Sequence, residues 1–316
     1  MAHCFVTRQL PGQALDRLRA EHDVDVWPER LPPDPTTLRE RTREAAGLLS
    51  LLTDSIDAAF MDANPQLKAI ANYAVGYDNI DIDAATARGI PVGNTPDVLT
   101  NATADLAFAL LLAAARMLPE AIASVHAGDW LKWEPARYLG HDVHGATLGI
   151  IGFGRIGQAV ARRAKGFDME VLTADTRSDA PDQLGNLLQR SDFVSLHCPL
   201  TPLTRHLINA QTLSQMRPNA ILINTTRGPI VDQAALAEAL HAGTIAGAAL
   251  DVTDPEPLAP DDPLLSAPNL IVVPHIGSAT RTARERMADL AVDNLLAGLA
   301  GRPMPHQVNR LPERDA

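Results

Sequence analysis

The segment that most constrains the fold is a glycine-rich turn of the form G-x-G-x-x-G at residues 152–157. It follows an apolar run at 147–151, which predicts a strand, and it precedes a helical pattern at 158–165. In such a strand–turn–helix unit the glycines permit a tight turn, close approach of a pyrophosphate and tight packing of the helix. The helix N-terminus adds partial positive charge and free N–H groups. The segment therefore predicts a dinucleotide-binding domain, and its context disfavours the alternative of a glycine turn without a ligand.

Short apolar runs alternate with helical patterns along the chain, which predicts parallel strands joined by right-handed crossovers. Only 4% of the residues are aromatic, so Ala, Leu, Ile and Val must build the core, as suits helices packed on a parallel sheet. Around the glycine turn we expect strands at 147–151, 170–174, 193–196, 221–224, 246–250 and 270–273. Before them we expect strands at 4–7, 24–26 and 47–52 and a turn and strand within 65–71, with helices at 11–20 and 35–45. The predicted fold class is α/β, with two Rossmann-like parallel-sheet domains.

The longest helical pattern covers residues 100–127, and Thr100 or Asn101 can cap it. It is apolar on nearly all sides, which predicts a helix that is buried on several faces. We expect it to lie between domains and to pack on a second subunit. Its most apolar part, 102–118, is interrupted by polar residues and is too short for a membrane span.

The charge balance excludes two classes of partner. The chain carries 27 Lys and Arg against 38 Asp and Glu, a net charge of −11. Broad nucleic-acid surfaces and docking on anionic lipid both need a basic footprint, so neither is expected. Any anion site must instead depend on specific, partly buried donors. We therefore expect a small molecule as the partner.

Cysteine usage indicates a reducing compartment. Cys4 and Cys198 are the only cysteines, too far apart for a disulfide framework and without metal-ligand spacing. Residues 1–10 lack the apolar run of a signal peptide. We expect a cytoplasmic protein with no metal site.

Asp175 stands at the end of the strand that follows the glycine turn. A carboxylate there accepts hydrogen bonds from the ribose hydroxyls of the adenosine half and repels a 2′-phosphate, which favours NAD over NADP. Arg177, two residues further along the chain, favours NADP because its side chain could bind that phosphate. The sequence therefore predicts NAD and leaves NADP open.

Three polar residues occur at connections after predicted strands, where open α/β sheets bind ligands. Arg227 follows the strand at 221–224, Glu256 lies between two prolines, and His275 lies between a strand and a helix. Singly, each could be an ordinary surface or structural residue. Together they match the needs of 2-keto acid reduction, where Arg can bind a carboxylate and His can supply a proton. A neighbouring Glu would orient the imidazole and favour its protonated form.

With these residues the chain resembles the D-isomer-specific 2-hydroxyacid dehydrogenases over essentially its whole length. The matching stretches are residues 72–81, 149–157, 224–232, 247–252 with Glu256 and Pro257, and 274–280. Segments 103–111 and 127–133 are most similar to the glyoxylate/hydroxypyruvate reductase branch. The resemblance implies hydride transfer between NAD(P)H and a small 2-keto acid of the glyoxylate or hydroxypyruvate type, giving the D-2-hydroxy acid.

The resemblance also implies roles for single residues. Arg227 would bind the substrate carboxylate and carbonyl, and His275 would be the acid/base assisted by Glu256. Further substrate contacts would come from Leu52, the N–H groups of Val75 and Gly76, Ser278, and Trp133 of a partner subunit. The residues assigned to the cofactor are Thr103, Gly152, Gly154, Arg155, Ile156, Gly157, Asp175, Thr225, Thr226, Arg227, Asp251, His275 and Gly277.

A discontinuous domain organisation follows from the same resemblance. Residues 1–98 and 287–316 would form the substrate domain, and 99–286 would form the inserted NAD(P)-binding domain with helix 100–127 for dimerisation. The substrate would bind in the cleft, and closure would exclude water. The apolar helix and the Trp133 segment suggest a homodimer.

Several alternatives remain open. Related dehydrogenases act on 2-ketogluconate, phenylpyruvates or 3-phosphoglycerate, the last disfavoured here because no second basic cluster lies near the motifs. A phosphite dehydrogenase would usually carry a Lys near Val75 and Gly76, where this chain has Ala74 and Tyr77. A non-catalytic, NAD-sensing corepressor-like protein would retain the same polar triad but would be expected to have a basic surface and long extensions.

Overall fold

The computed structural model of the chain describes residues 1–175 and 181–311, without the side chains of residues 181 and 182. Arg177, which bears on the choice of cofactor, lies outside the described residues. The chain divides into two compact units. The first comprises Met1–Leu99 with Ala279–Ala316, and the second comprises Thr100–Ser278. By this division the first unit resumes at Ala279, whereas the resemblance placed its return at residue 287.

Strands and helices alternate along the described chain. The strands are β1 His3–Val6, β2 Asp23–Val26, β3 Gly47–Ser50, β4 Ala69–Asn72, β5 Val92–Gly93, β6 Thr147–Ile151, β7 Glu170–Ala174, β8 Phe193–Leu196, β9 Ile221–Asn224, β10 Gly247–Leu250 and β11 Leu270–Val272. The helices are α1 Ala14–Glu21, α2 Pro35–Thr42, α3 Ala58–Ala63, α4 Ile82–Ala87, α5 Thr100–Ala115, α6 Leu118–His126, α7 Arg155–Ala164, α8 Pro181–Arg190, α9 Ala210–Ser214, α10 Gln233–His241 and α11 Arg281–Leu299.

The first unit is built on a parallel sheet. Within residues 1–99 and 279–311 its strands pair in the order β2-β1-β3-β4-β5. Apolar side chains such as Phe5, Leu48 and Ile70 are fully buried in one core cluster. Helix α11 packs on β3 and β4, so the distant segment after Ala279 covers this sheet. The amino-terminal part and residues 279–311 therefore form one structural unit.

The second unit is also a parallel sheet covered by helices. Among its described residues the strands pair in the order β11-β10-β9-β8-β6-β7. The chain runs from β6 outward to β7 and then returns to β8 on the other side of β6, which creates a topological switch point there. In such sheets ligands bind at the carboxyl ends of the strands beside that point. The predicted fold class, two Rossmann-like parallel-sheet domains, is confirmed.

The single helix expected over residues 100–127 is wrong, because the chain forms two helices, α5 and α6, that meet at an angle of 64°. Met117 adopts a left-handed conformation with φ 49°. Pro119 has no N–H to donate and would clash with the carbonyl of Ala115 in a continuous helix. That carbonyl instead accepts the N–H of His141 at 2.8 Å. The break therefore follows from one proline near the start of α6.

No single helix in the described ranges is long and apolar enough to cross a membrane, and only the bent pair α5 and α6 passes that test jointly. Many α5 side chains, among them Ala104, Phe108 and Leu111, lie in the core of the second unit. The apolar character of α5 is thus accounted for by packing within the protein.

Candidate active site

The glycine turn has the geometry that a dinucleotide pyrophosphate requires. Gly152 adopts φ +91°, and a Cβ there would lie 2.5 Å from the nitrogen of Cys198. A Cβ on Gly157 would lie 2.3 Å from the carbonyl oxygen of Gly152, so only glycine lets α7 pack this closely. A Cβ on Gly154 would meet no described atom within 4 Å. Gly152 and Gly157 thus serve the turn and the packing, and Gly154 leaves room for a ligand.

The start of α7 is open to an anion. Gly154 is its N-cap and provides no side-chain hydrogen bond to the first turn, which begins with Arg155 and Ile156. The N–H groups of a helix start and the helix dipole together attract phosphate. Asp175 is exposed and comes directly after β7, as the sequence predicted. These residues fit the pyrophosphate and ribose of a dinucleotide.

A buried asparagine shapes the turn that carries Arg227. The Nδ2 of Asn224, at the end of β9, donates to the carbonyl of Arg227 at 2.9 Å. Its Oδ1 accepts from the N–H and the hydroxyl of Thr226 at 3.0 and 2.8 Å. A Cβ on Gly228 would lie 2.0 Å from the carbonyl oxygen of Thr253, so this turn packs directly on the segment after β10. Arg227 is thereby fixed, half-buried, at the carboxyl end of the sheet.

Asp251 organises the turn that carries His275. Its carbonyl accepts the N–H of His275 at 2.9 Å. Its carboxylate accepts the N–H groups of Ile276 at 2.6 Å and Gly277 at 2.8 Å. A Cβ on Gly277 would lie 3.0 Å from this carboxylate and about 3.5 Å from Thr103 on α5, so Thr103 also reaches the turn. His275 adopts φ 51°, a left-handed conformation that the surrounding hydrogen bonds hold in place.

The pKa of Asp251 is raised, chiefly because the carboxyl group is buried. The N–H donors of Ile276 and Gly277 and the charge of His275 act in the opposite direction, whereas Glu256 adds to the increase. Asp251 is only 1% exposed, so its carboxyl group lies inside the protein next to the His275 turn. Asp251 therefore affects the site by fixing the conformation of the turn that carries His275.

Glu256 and His275 form a close pair, which the sequence could not establish. Nδ1 of His275 lies 2.5 Å from Oε1 of Glu256, and their side chains are 24% and 36% exposed. Gln233, at the start of α10, fixes the segment that precedes Glu256, because its side-chain amide binds both the N–H and the carbonyl of Asp254. Because Nδ1 is occupied, Nε2 is the ring nitrogen left to act on a ligand.

Two buried polar atoms lie at the carboxyl ends of neighbouring strands; Thr225 is one of the residues already assigned to the cofactor, whereas His197 was not found by sequence reasoning. His197 follows β8 and Thr225 follows β9, in adjacent register. Nδ1 of His197 and Oγ1 of Thr225 have no hydrogen-bond partner among the described residues. Burial lowers the pKa of His197 to about 4, so its ring is neutral at pH 7. The position of His197 directly after a strand was the available signal.

The remaining candidates belong to other segments of the chain or, for Ser278, to the end of the His275 turn. Leu52 and the pair Val75 and Gly76 belong to the first unit, after β3 and β4 respectively. Ser278 is half-buried at the end of the second unit. Trp133 lies in the irregular segment after α6, with 80% of its surface exposed. Their substrate contacts stay predictions.

A comparison with models of protein families gives a match. The model described as "D-isomer specific 2-hydroxyacid dehydrogenase, NAD binding domain" matches residues 108–277. This stretch is more than half of the 316 residues and includes the glycine turn, Arg227, Glu256 and His275.

Similar proteins extend the match over nearly the whole chain. A glyoxylate reductase from Korarchaeum cryptofilum is 50% identical over 316 residues, covering 97% of this chain and 95% of the relative. A protein of known structure from Thermus thermophilus is 51% identical with a TM-score of 0.92, covering 97% of this chain and 99% of that one. An NADPH-dependent glyoxylate/hydroxypyruvate reductase from Sinorhizobium meliloti, solved with NADP and malonate, is 36% identical with a TM-score of 0.87, covering 100% and 99%.

Proposed function

Because the chain belongs to the D-isomer-specific 2-hydroxyacid dehydrogenases, in the glyoxylate reductase branch, we propose that it reduces glyoxylate or hydroxypyruvate with NADH. It is an NAD(P)-dependent oxidoreductase that acts on glyoxylate-type keto acids. The observation that carries the proposal is the hydrogen bond between Glu256 and Nδ1 of His275. Both residues follow strands of the second unit, as Arg227 does, so all three belong to the carboxyl end of that sheet. This arrangement supports a proton-transfer pair beside a carboxylate-binding arginine.

The residues divide the chemistry between them. A bound NAD(P)H supplies the hydride to the keto carbon. Arg227 holds the carboxylate and polarises the carbonyl, since its planar guanidinium can donate to both groups. His275 donates a proton from Nε2 to the oxygen that becomes negative as the hydride arrives, and takes it back in the oxidation. Glu256 fixes the ring and stabilises the imidazolium through Nδ1.

The first unit contributes to binding in this proposal. The N–H groups of Val75 and Gly76 bind the substrate carboxylate, and Leu52 contacts the substrate. Ser278, from the second unit, also contacts it. Among the described residues no hydrogen bond uses the N–H of Val75 or Gly76, which supports their availability to a ligand.

We assign NADH as the preferred cofactor because of Asp175, with NADPH as the alternative. Asp175→Ala is expected to lower the NADH-to-NADPH ratio of kcat/KM about tenfold, since it removes a ribose acceptor and a charge that repels the 2′-phosphate. Steady-state kinetics with both cofactors measure the ratio, and Asp142→Ala, at another position of the same unit, serves as the control. A wild-type preference for NADPH would show that the assignment of Asp175 is wrong.

We propose a homodimer that forms through α6 and the segment after it. Leu118, Ile122 and Val125 lie on one face of α6 and are 45%, 55% and 54% exposed. The segment that follows adds further exposed apolar side chains: Trp130, Leu131, Trp133 and Leu139. An apolar patch of this extent is typical of a protein interface, and a second copy would bring Trp133 toward the partner's substrate.

Ile122→Asp is expected to convert the dimer into a monomer, with the dimer Kd raised at least about 100-fold, because association would bury an unpaired carboxylate. Light scattering across a dilution series measures the mass. Leu31→Asp, at an exposed apolar residue of the first unit, should leave the mass unchanged. A wild-type monomer at micromolar concentration would contradict the proposal.

A panel of substrates tests the activity itself. NADH consumption is measured with glyoxylate, hydroxypyruvate, pyruvate, 2-ketogluconate and phenylpyruvate, and NAD reduction is measured with phosphite and 3-phosphoglycerate. We expect the highest kcat/KM with glyoxylate or hydroxypyruvate. Turnover of none of the keto acids would favour the nucleotide-sensing alternative.

We also propose a cytoplasmic location. Cys4 and Cys198 are free thiols in the interior, which supports a reducing compartment. Burial raises the pKa of the Cys4 thiol to about 12 and that of Cys198 to about 11, so both thiols are protonated at neutral pH.

A further inference from the structure

We propose that buried asparagine side chains hold the loop at residues 73–79 in the conformation that binds a carboxylate, and that Asn94 is the main positioning residue. The loop follows β4 in the first unit. The inference rests on the proposed function, in which the N–H groups of Val75 and Gly76 bind the substrate. The inference adds to that function the residues that orient these two N–H groups.

The carbonyls of three consecutive loop residues are all held by donors from the same unit. The pairs are Thr95 N to Ala74 O at 2.8 Å, Asn94 Nδ2 to Val75 O at 2.7 Å, and Asn72 Nδ2 to Gly76 O at 3.0 Å. Two of the three donors are asparagine side chains, which are 8% and 0% exposed. The acceptor side of the loop is therefore satisfied from within the protein.

This arrangement determines where the N–H groups point. In a trans peptide the C=O and the following N–H point in opposite directions. The bond to Ala74 O thus turns the N–H of Val75 away from Thr95, and the bond to Val75 O turns the N–H of Gly76 away from Asn94. Two successive N–H groups presented together form a concavity that binds an anion.

Asn94 is well placed to impose this geometry because its own main chain is anchored on both sides. Its N–H donates to the carbonyl of His306 at 3.1 Å, and its carbonyl accepts from Nδ2 of Asn294 on α11 at 2.8 Å. Asn294 is fully buried. The main chain of Asn94 is therefore held in place, and its side chain extends from there to the loop.

A second chain of amides links the loop to the residues after β3. Nδ2 of Asn72 donates its other hydrogen to Oδ1 of Asn79 at 3.1 Å. Nδ2 of Asn79 then donates to the carbonyls of Leu51 and Asp54, at 3.1 and 2.9 Å. Every amide hydrogen of these two asparagines is used. The segment of Leu52 and the segment of Val75 are thus held by one buried network.

The test replaces Asn94 by aspartate, which has the same shape but would direct an oxygen at the Val75 carbonyl. Asn94→Asp is expected to raise the KM for glyoxylate and the Ki of oxalate, an unreactive carboxylate probe, at least tenfold. The KM for NADH should change less than twofold. The control is Asn309→Asp, because Asn309 is similarly buried in the same unit and its amide donates to Ile90 and Thr86 instead.

The control separates positioning from general destabilisation. Both variants are expected to lower the Tm, and only Asn94→Asp is expected to weaken glyoxylate and oxalate binding. Equal effects of the two variants on KM, or a KM for glyoxylate in Asn94→Asp within twofold of wild type, would overturn the proposal. If Asn94→Asp does not fold, Asn94→Ala, which removes the donor without adding charge, is measured in the same way with the same criteria.

Hydrogen exchange distinguishes failure of this inference from failure of the proposed function. In Asn94→Asp the amide of Thr95, which donates to the carbonyl of Ala74 in the loop, should exchange at least tenfold faster, while the amides of β8 and β9 stay as in wild type. Faster exchange supports the positioning role even if wild type reduces no keto acid, which would refute the proposed function alone. Unchanged exchange at Thr95 refutes the positioning role whatever the activity.

Discussion

His275→Asn is expected to lower kcat for glyoxylate reduction about 10³-fold, because an amide cannot donate the proton that the forming alkoxide requires. Asparagine is the informative replacement, since it tolerates the left-handed conformation that His275 adopts at φ 51°. The turn that Asp251 holds should then keep its shape. The loss of activity would report on proton transfer rather than on a collapsed loop.

Stopped-flow kinetics with saturating NADH measure this loss, and quenching of protein fluorescence measures the Kd for NADH. That Kd should stay within about twofold of wild type. His144→Asn, at an exposed histidine of the same unit, is the control and should leave kcat unchanged. A tenfold weaker NADH affinity in His275→Asn, or a kcat near that of wild type, would show that His275 does not supply the proton.

Arg227→Lys is expected to lower kcat/KM for glyoxylate by about 10²- to 10³-fold, although the positive charge remains. Lysine carries a point charge on a flexible stem and cannot form the paired hydrogen bonds of a guanidinium. Loss of a partner from a desolvated charge pair costs on the order of 2–5 kcal/mol, in accord with such an effect. Because the carbonyl contact strengthens as negative charge develops, kcat should fall as well as KM rise.

Initial rates over a wide range of glyoxylate concentration separate the two parameters. The control is Arg217→Lys, which alters an arginine of the same unit paired with Asp192 at the surface. It should leave both parameters within about twofold. If Arg227→Lys behaves like this control, another group must bind the substrate carboxylate.

Strand positions in the second unit were predictable because buried parallel strands are continuous apolar runs. The expected runs at 147–151, 170–174, 193–196 and 221–224 coincide with β6, β7, β8 and β9. The two-residue strand β5 was missed because so short a pairing leaves no pattern. Helices α3 and α4 were missed for a similar reason, since each has only 6 residues.

The sequence also contained evidence against a single helix at 100–127. Pro119 stands inside the apolar pattern, and a proline there ends a helix at the preceding turn. The uniform apolar character outweighed this signal in the prediction. The prediction of one helix was therefore wrong because the proline was given too little weight, although the sequence contained the information.

Motif spacing and resemblance gave the candidate side chains of the site, but they could not give the contacts that hold those side chains. Residues Glu256 and His275 are separated by a strand, and only tertiary packing brings Oε1 to Nδ1. The support from Gln233 and from Asn94 depends on contacts between segments that carry no shared pattern. Such supporting bonds are set by the three-dimensional fold and have no local sequence signature.

The first unit is assembled from two distant parts of the chain, and this has a consequence for its synthesis. A ribosome releases residues 1–99 long before α11, which covers β3 and β4. The edge strand β5 also lacks hydrogen-bond partners until Val308 and Asn309 have been synthesised. The N–H of Val308 donates to the carbonyl of Val92, and Oδ1 of Asn309 accepts the N–H of Val92. The second unit, whose residues are contiguous, can fold while the nascent chain is still growing. The uncovered sheet of the first unit is then the surface that needs protection from aggregation until translation passes residue 309.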